Sequence, residues 1–222
     1  MELAKPALDV GLYTNQLDPM LAFWQEQAGV AFSELLAVGG GVRQHRHAIG
    51  DSILKINHSR SPLEQSSPSG LKKLVLFSDS VDDVQELLDP DANEVDLHPK
   101  TDASPNLRLV LAVNDLERST DFYGATLNLE ERRDNTFAAG NSEIALVQGN
   151  IAPIQQKALG LRYMTFQVFD VVAEHDHIIH NGGSEGRSPI RLGDVAHISF
   201  VRDPDGNWIE ISQRKSITGS LA

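Results

Sequence analysis

Cysteine is absent from the 222 residues of this chain. That one absence excludes disulfides, thiolate nucleophiles and cysteine-bound zinc. Basic residues are scarce: 19 Lys and Arg stand against 31 Asp and Glu, for a formal net charge of −12. No basic stripe is present, so neither nucleic acid nor an anionic membrane is an expected partner. No apolar run is long enough to cross a bilayer, and Met1-Glu2-Leu3-Ala4-Lys5-Pro6 lacks the charged-then-apolar pattern of a signal peptide. A soluble, cytoplasmic protein is the resulting expectation.

What the chain does have is repetition. Asp89-Pro90-Asp91-Ala92-Asn93-Glu94-Val95-Asp96-Leu97 is echoed by Asp203-Pro204-Asp205-Gly206-Asn207-Trp208-Ile209-Glu210-Ile211. Each is strong turn chemistry followed by a short alternating run that carries one acid. A second echo joins Asn15-Gln16-Leu17-Asp18-Pro19 through Trp24 to Asn114-Asp115-Leu116-Glu117-Arg118 through Tyr123. Each follows an alternating apolar segment and opens an amphipathic helix that ends in an aromatic pair. Duplicated structural units are the direct implication.

Four units can be traced. Unit one has predicted strands at 8–13, 32–38, 42–48 and 52–57 and a helix at about 19–28, with Asp18 as N-cap, Pro19 at the first helical position and Gly29 as the stop. A Ser- and Pro-rich loop covers 59–70. Unit two begins at 71–77 and reaches Asp89 too soon for a helix and two strands, so it is degenerate. Residues 98–106 read as a linker. Unit three spans 107–149. Unit four starts near Leu161, with a helix at 171–181 stopped by Gly182-Gly183, then strands near 195–202 and 207–213. The segment after Gln213 reads as a frayed tail.

The run from Val113 to Tyr123, then Asn181-Gly182-Gly183, then Asp203 to Glu210, resembles the vicinal oxygen chelate superfamily of glyoxalases, extradiol dioxygenases and bleomycin- and fosfomycin-resistance proteins. The resemblance is close over Leu107–Gln213 and looser over Leu8–Leu97. It implies an α+β fold of tandem paired βαβββ units, forming curved mixed sheets around a cavity. Residues 1–100 are expected to form an N-terminal half and 101–222 a complete C-terminal domain, units one and two pairing with each other and three with four. A homodimer is the implied assembly, because such halves often pair between chains.

The resemblance also implies a divalent metal (iron, manganese, zinc or nickel) held by His, Gln and Glu from first and last strands. Carried across position by position, these sites fall on Arg108, Ala145, Tyr163 and Glu210 in the C-terminal half. In the N-terminal half they fall on Asp9, Lys55, Lys73 and Asp96. Only Glu210 matches, so the residues present support the metal poorly and the cofactor stays open. Arg108, Tyr163 and Glu210 are expected to converge on the cavity, Arg108 and Glu210 forming an ion pair that is either functional or a structural plug.

Other candidates follow from strand alternation. Arg43, His45 and His47 share one face of their strand, and a His-x-His pair near Asp9 or Asp51 could hold a metal. A polar strand face is the plainer account, and an anion-binding face of Arg43, Arg46 and Lys55 a third. His197 is a candidate general base. Trp208 shares a face with Glu210 and could stack on a flat ligand or fill the sheet. His175 is expected to pack, and His177 and His180 to face solvent. Function divides three ways. The first is an enzyme of isomerase, lyase or ring-cleavage type acting on a small oxygenated or aromatic metabolite. The second is a metal-free binding protein of the bleomycin-resistance kind, and the third an association module.

Overall fold

The computed structural model describes residues 1–65, 67–152 and 154–221. Unit one comprises β1 (Leu3–Thr14), α1 (Leu17–Ala22), β2 (Ala31–Gly39), β3 (Val42–Ile49) and β4 (Ser52–Ser59). Unit two has β5 (Leu71–Ser78), β6 (Gln85–Leu88) and β7 (Glu94–Pro99), without a helix among the described residues. Unit three has β8 (Leu107–Val113), α2 (Leu116–Asp121), β9 (Glu130–Arg133), β10 (Thr136–Ala139) and β11 (Ser142–Gln148). Unit four has β12 (Gly160–Val168), α3 (Val171–His180), β13 (Ser184–Leu192), β14 (Ala196–Arg202) and β15 (Trp208–Arg214). The segment expected to fray carries a short helix, α4 (Lys215–Thr218).

The two echoed helices begin differently. Asp115 caps α2 by accepting from the Arg118 N–H at 3.0 Å. In unit one the cap position is Gln16, with no side-chain cap bond, and Asp18 lies inside the first turn rather than before it. Both helices run on into a π-helical turn that buries its aromatic pair, Phe23 with Trp24 and Phe122 with Tyr123.

The units pair in an order the sequence does not suggest. The first sheet runs β13-β14-β15-β12-β1-β4-β3-β2 and the second β6-β7-β5-β8-β11-β10-β9. Unit one therefore joins unit four, and unit two joins unit three, which corrects the expected one-with-two and three-with-four pairing. At the centre of each sheet two first strands lie antiparallel: β1 on β12, with Asp9 opposite Thr165 and Gly11 opposite Tyr163, and β5 on β8. Each first strand is flanked on its other side by the last strand of its own unit, in parallel register.

Alternation then sorts the side chains. Leu8, Val10 and Leu12 of β1 enter a single core, together with Met164 and Phe166 of β12, Leu74 and Leu76 of β5, and Leu109 and Leu111 of β8. The helical segments add Trp24, Tyr123, Val171 and Ile178 to this core. Asp9, Gly11 and Tyr13 are left on the opposite, outward face of the first sheet.

The echoed turns clasp the two sheets reciprocally. Asp89 Oδ1 accepts from the backbone N–H groups of Asp91 and Asn93, and Asp203 Oδ1 accepts from those of Asp205 and Asn207. Asn93 then accepts from the Leu161 N–H at 2.9 Å, and Asn207 accepts from the Gly70 N–H at 2.9 Å. A turn of unit two thus holds the entry to unit four, and a turn of unit four holds the entry to unit two.

Close approach explains Gly11. A Cβ built there would lie 2.1 Å from the Tyr163 ring, which covers the β1 backbone. Gly11→Ala should therefore displace Tyr163 and lower stability by about 1–3 kcal/mol, the usual cost of forcing a methyl into a packed site. Denaturant unfolding would show the loss and near-ultraviolet circular dichroism the tyrosine displacement. An unchanged midpoint would contradict the packing.

Candidate functional site

The outward face of the first sheet curves around an open cavity of about 630 Å³. Its floor comes from Tyr13, Lys55, Asn57, Tyr163, Gln167, Glu210 and Ser212, each from a first or last strand. Its rim is apolar, with Leu36 and Val38 of β2 on one side and Ile190, Leu192 and Val195 on the other. These flank the mouth because β2 and β13 are the two edge strands of the curved sheet.

Lys55 and Glu210 meet at the centre. The Lys55 ammonium donates to Glu210 Oε2 at 2.6 Å and to Thr165 Oγ1 at 2.7 Å, and the Thr165 hydroxyl donates to the same carboxylate oxygen at 2.7 Å. The lysine side chain is 3% exposed and the glutamate side chain 12%. Burial pulls the Lys55 pKa below its ordinary value, against the opposing charges of Glu210 and Asp9. Burial alone would raise the Glu210 carboxyl, but the Lys55 charge and the bonds from Lys55 and Thr165 outweigh it and hold it below its ordinary 4.5. The pair is therefore ionised. Glu210 Oε1 has no hydrogen bond among the described residues, and Glu210 lines the cavity.

Around the pair lie a phenol, an amide and surplus guanidinium. The Tyr163 hydroxyl accepts from Asn57 Nδ2 at 3.0 Å, which leaves its own proton to donate. Burial raises its pKa well above 10.0, with Glu210 adding to the effect, so it stays a neutral donor. Tyr13 is pushed up to about 12 by burial and Glu210, with Arg187 opposing. Gln167 Oε1 is buried without a hydrogen-bond partner among the described residues. Arg46 and Arg214 share the single carboxylate of Glu34, at 2.9 and 3.5 Å. Arg187 has no carboxylate partner among the described residues and lies over the Phe200 ring, 5.3 Å from its centroid. Tyr13, Tyr163 and Phe200 form an aromatic wall with centroid spacings of 6.2 and 5.8 Å. An acidic protein thus encloses a cavity with an excess of positive charge.

A divalent metal does not fit these residues. The first-strand residues in register with Lys55 and Glu210 are Gly11 and Thr165, which supply no side chain and a neutral hydroxyl. An ammonium, which has no lone pair to give, fills a third position. Among the described residues no group of three or more His, Asp and Glu could hold a metal ion.

Several expected site residues lie elsewhere. Arg108 belongs to the second sheet, where it bonds Glu143 at 2.8 Å and stacks on Phe77, so it does not meet Glu210. Arg133 reaches the same Glu143 oxygen at 2.7 Å, and Lys73 pairs with Asp96 at 2.8 Å. His45 and His47 face away from Glu210: Gln44 and Arg46 line the cavity, while His47 contacts Gln25 at 3.0 Å and the Phe32 ring. Ala196, Ile198 and Phe200 line the cavity, which places His197 on the opposite face of β14. Trp208 shares the Glu210 face, but it is covered: its indole N–H donates to the Ile154 carbonyl at 3.1 Å and Arg202 stacks on it. Asp9 is fully buried and does not line the cavity; it is bonded to the Ile53 N–H at 2.8 Å and to the Lys5 ammonium. Tyr163, Lys55, Arg46 and Glu210 are the expected residues that the fold does bring together. Thr165, Asn57, Tyr13, Gln167 and Arg187 were not anticipated. Period-2 spacing from Tyr163 could have found Thr165 and Gln167.

A larger hollow, about 1050 Å³, lies beside the Asn93 clasp. Its one buried cation, Arg162, is spent on the backbone carbonyls of Ser67, Ala158 and Leu159.

The comparisons agree with this architecture. Residues 107–211 match the family model described as Glyoxalase/Bleomycin resistance protein/Dioxygenase superfamily. The protein named "Probable lactoylglutathione lyase" of Vibrio parahaemolyticus is 30% identical over 131 residues, covering 52% of this chain and 94% of that protein. The lactoylglutathione lyase of Neisseria meningitidis is 29% identical over 132 residues, with 52% and 95% covered. Glyoxalase I from Zea mays has a TM-score of 0.78 at 15% identity, over 93% of this chain and 92% of that one. The chain belongs to the glyoxalase/bleomycin resistance protein/dioxygenase superfamily. Among the described residues no helix is long and apolar enough to cross a membrane.

The Glu210 pKa carries a pH prediction. A carboxyl held below 4.5 in the fold adds stability that is complete above that value and lost as pH falls through the depressed one. Glu210→Gln also strands the buried ammonium, at a cost of about 3–5 kcal/mol near neutrality. Melting temperatures of the two proteins should therefore differ most near pH 7 and converge as pH falls below 4.5 through the depressed value. Parallel curves would contradict an ionised pair.

Proposed function

We propose that this protein takes a small oxygenated metabolite into the first-sheet cavity and moves a proton on it, as an isomerase or lyase, without a bound metal. The Lys55 ammonium serves as the fixed cation. The supporting observation is that ammonium, held between Thr165 and Glu210 on the floor of an open, cationic cavity. A carbonyl or carboxylate oxygen can accept from Lys55 and from the free proton of Tyr163. Arg187 offers a second, unneutralised charge for an acidic group, and the aromatic wall offers a surface for an apolar body. Glu210 Oε1 is then the base for a proton next to the carbonyl. The negative charge that develops on the oxygen is met by donors already in place. Ring cleavage has no residues here to support it, because the donor set fits no metal.

Glu210 Oε2 is tied to two donors, and this favours a second reading: a protein that binds and sequesters its ligand without turning it over. The surplus guanidinium directs that reading toward anions and away from cationic drugs.

An aromatic carboxylate without a reactive carbonyl, 4-methylbenzoate, tests the site. It should quench or shift tyrosine and tryptophan fluorescence saturably, and Arg187→Ala should weaken binding about tenfold or more, as expected on losing a charge-assisted hydrogen bond. No saturable signal, or full affinity in the variant, would count against the cavity as an anion site. Zinc, nickel or manganese added to chelator-treated protein should leave its melting temperature unchanged. A stoichiometric rise would overturn the metal-free assignment.

A further inference from the structure

We propose that Lys55 forms an imine: its Nζ condenses with the carbonyl carbon of an aldehyde or ketone ligand seated in the first-sheet cavity. The inference rests on the preceding reading, since it uses the same cavity, and adds a covalent step to it.

Three observations carry it. Lys55 is the one buried lysine among the described residues, yet it lines an open cavity and so faces any ligand there. Both of its partners are oxygen acceptors, and one is a carboxylate at 2.6 Å that can take its proton. Its surroundings also loosen the proton: burial lowers the Lys55 pKa and the nearby Arg46 charge adds to that, although Glu210 and Asp9 oppose it, so the ammonium gives up its proton more readily than an ordinary lysine. Desolvation and a neighbouring cation are the two means by which a lysine amine becomes nucleophilic at ordinary pH. The pair is buried, yet both residues line the cavity floor beside a phenol with a proton to give.

The step balances without an oxidant or reductant. Glu210 accepts one proton from the ammonium. The freed nitrogen lone pair forms the C–N bond while the C=O π pair moves to oxygen. That oxygen collects the proton held by Glu210 and a second proton from nitrogen, and leaves as water with its bonding pair. The remaining nitrogen lone pair closes the C=N bond. Ammonium and carbonyl have become a protonated imine and water, with Glu210 again ionised. Tyr163 can donate to the carbonyl oxygen during attack, because its own hydroxyl accepts from Asn57.

The test uses the full chain with 4-formylbenzoate, which differs from 4-methylbenzoate only in carrying an aldehyde. Sodium cyanoborohydride is added, and the protein is digested and mapped by mass spectrometry. The expected result is one near-stoichiometric adduct on the peptide containing Lys55, slowed by excess 4-methylbenzoate. Glu210→Gln should slow its formation by about 10²-fold, the usual scale for loss of a general acid–base. Lys55→Met combined with Glu210→Gln removes both buried charges together, so it leaves neither unpaired, and it should lose the adduct. Labelling spread over the exposed Lys72, Lys100, Lys157 and Lys215, with Lys55 unmodified, would overturn the proposal. So would an equal adduct in the double variant. The two readings separate cleanly: saturable 4-methylbenzoate binding without a Lys55 adduct removes the imine and keeps the anion site, whereas loss of both removes the cavity as a ligand site.

Discussion

The antiparallel contact between β1 and β12 decides the rest of the molecule. It sets Gly11 opposite Tyr163 and Asp9 opposite Thr165. Because each first strand carries the last strand of its own unit alongside, the contact also carries Lys55 of β4 and Glu210 of β15 to one point on one face. Two charges taken out of water cost several kcal/mol each, and only close pairing with further hydrogen bonds offsets that. The Thr165 hydroxyl supplies such a bond from the strand between them. Strand register, burial and charge pairing are therefore a single arrangement here.

The same arrangement reverses the sign of the charge that a ligand meets. The surface as a whole is acidic, whereas the cavity floor offers an ammonium and a ring of guanidinium with too few carboxylates to neutralise it. Low-dielectric walls concentrate such a local field. In this superfamily member a side-chain nitrogen, fixed by covalent structure, takes the central cationic place. Its charge is set by neighbours and by burial, so it can be given up, which a metal ion's cannot. That difference opens chemistry to Lys55 that depends on a lone pair.

Much of the fold was legible because turn chemistry and period-2 alternation are local. The Asp-Pro-Asp turns, the strands of unit one, the degeneracy of unit two and the helix at 171–180 all follow from short windows of sequence. Pairing between units is not local. One-with-four and one-with-two place the same kinds of first strand side by side, and nothing in β1 distinguishes β12 from β5. That single ambiguity moved Arg108 from Glu143 to Glu210 in the expectation. It also hid the Lys55–Glu210 pair, although both residues had been named. β13 was missed for another reason: Ser184–Leu192 is an exposed edge strand with Pro189 inside it and little alternation. The face of His197 depended on knowing which neighbours of β14 line the cavity.

The clasps made by Asn93 and Asn207, with the central strand contacts they accompany, bear on how the chain acquires its shape during synthesis. β1 is made first, but its partner strand does not exist until residues 160–168 have left the ribosome. The first unit must wait with a fully apolar stripe, Leu8, Val10 and Leu12, and an open strand edge. Units two and three are neighbours in the chain and can close the second sheet in the meantime. Long-range strand contacts of this kind fold slowly and leave sticky intermediates. Adjacent units two and three can thus pair across a short stretch of chain, whereas units one and four must meet across a long one.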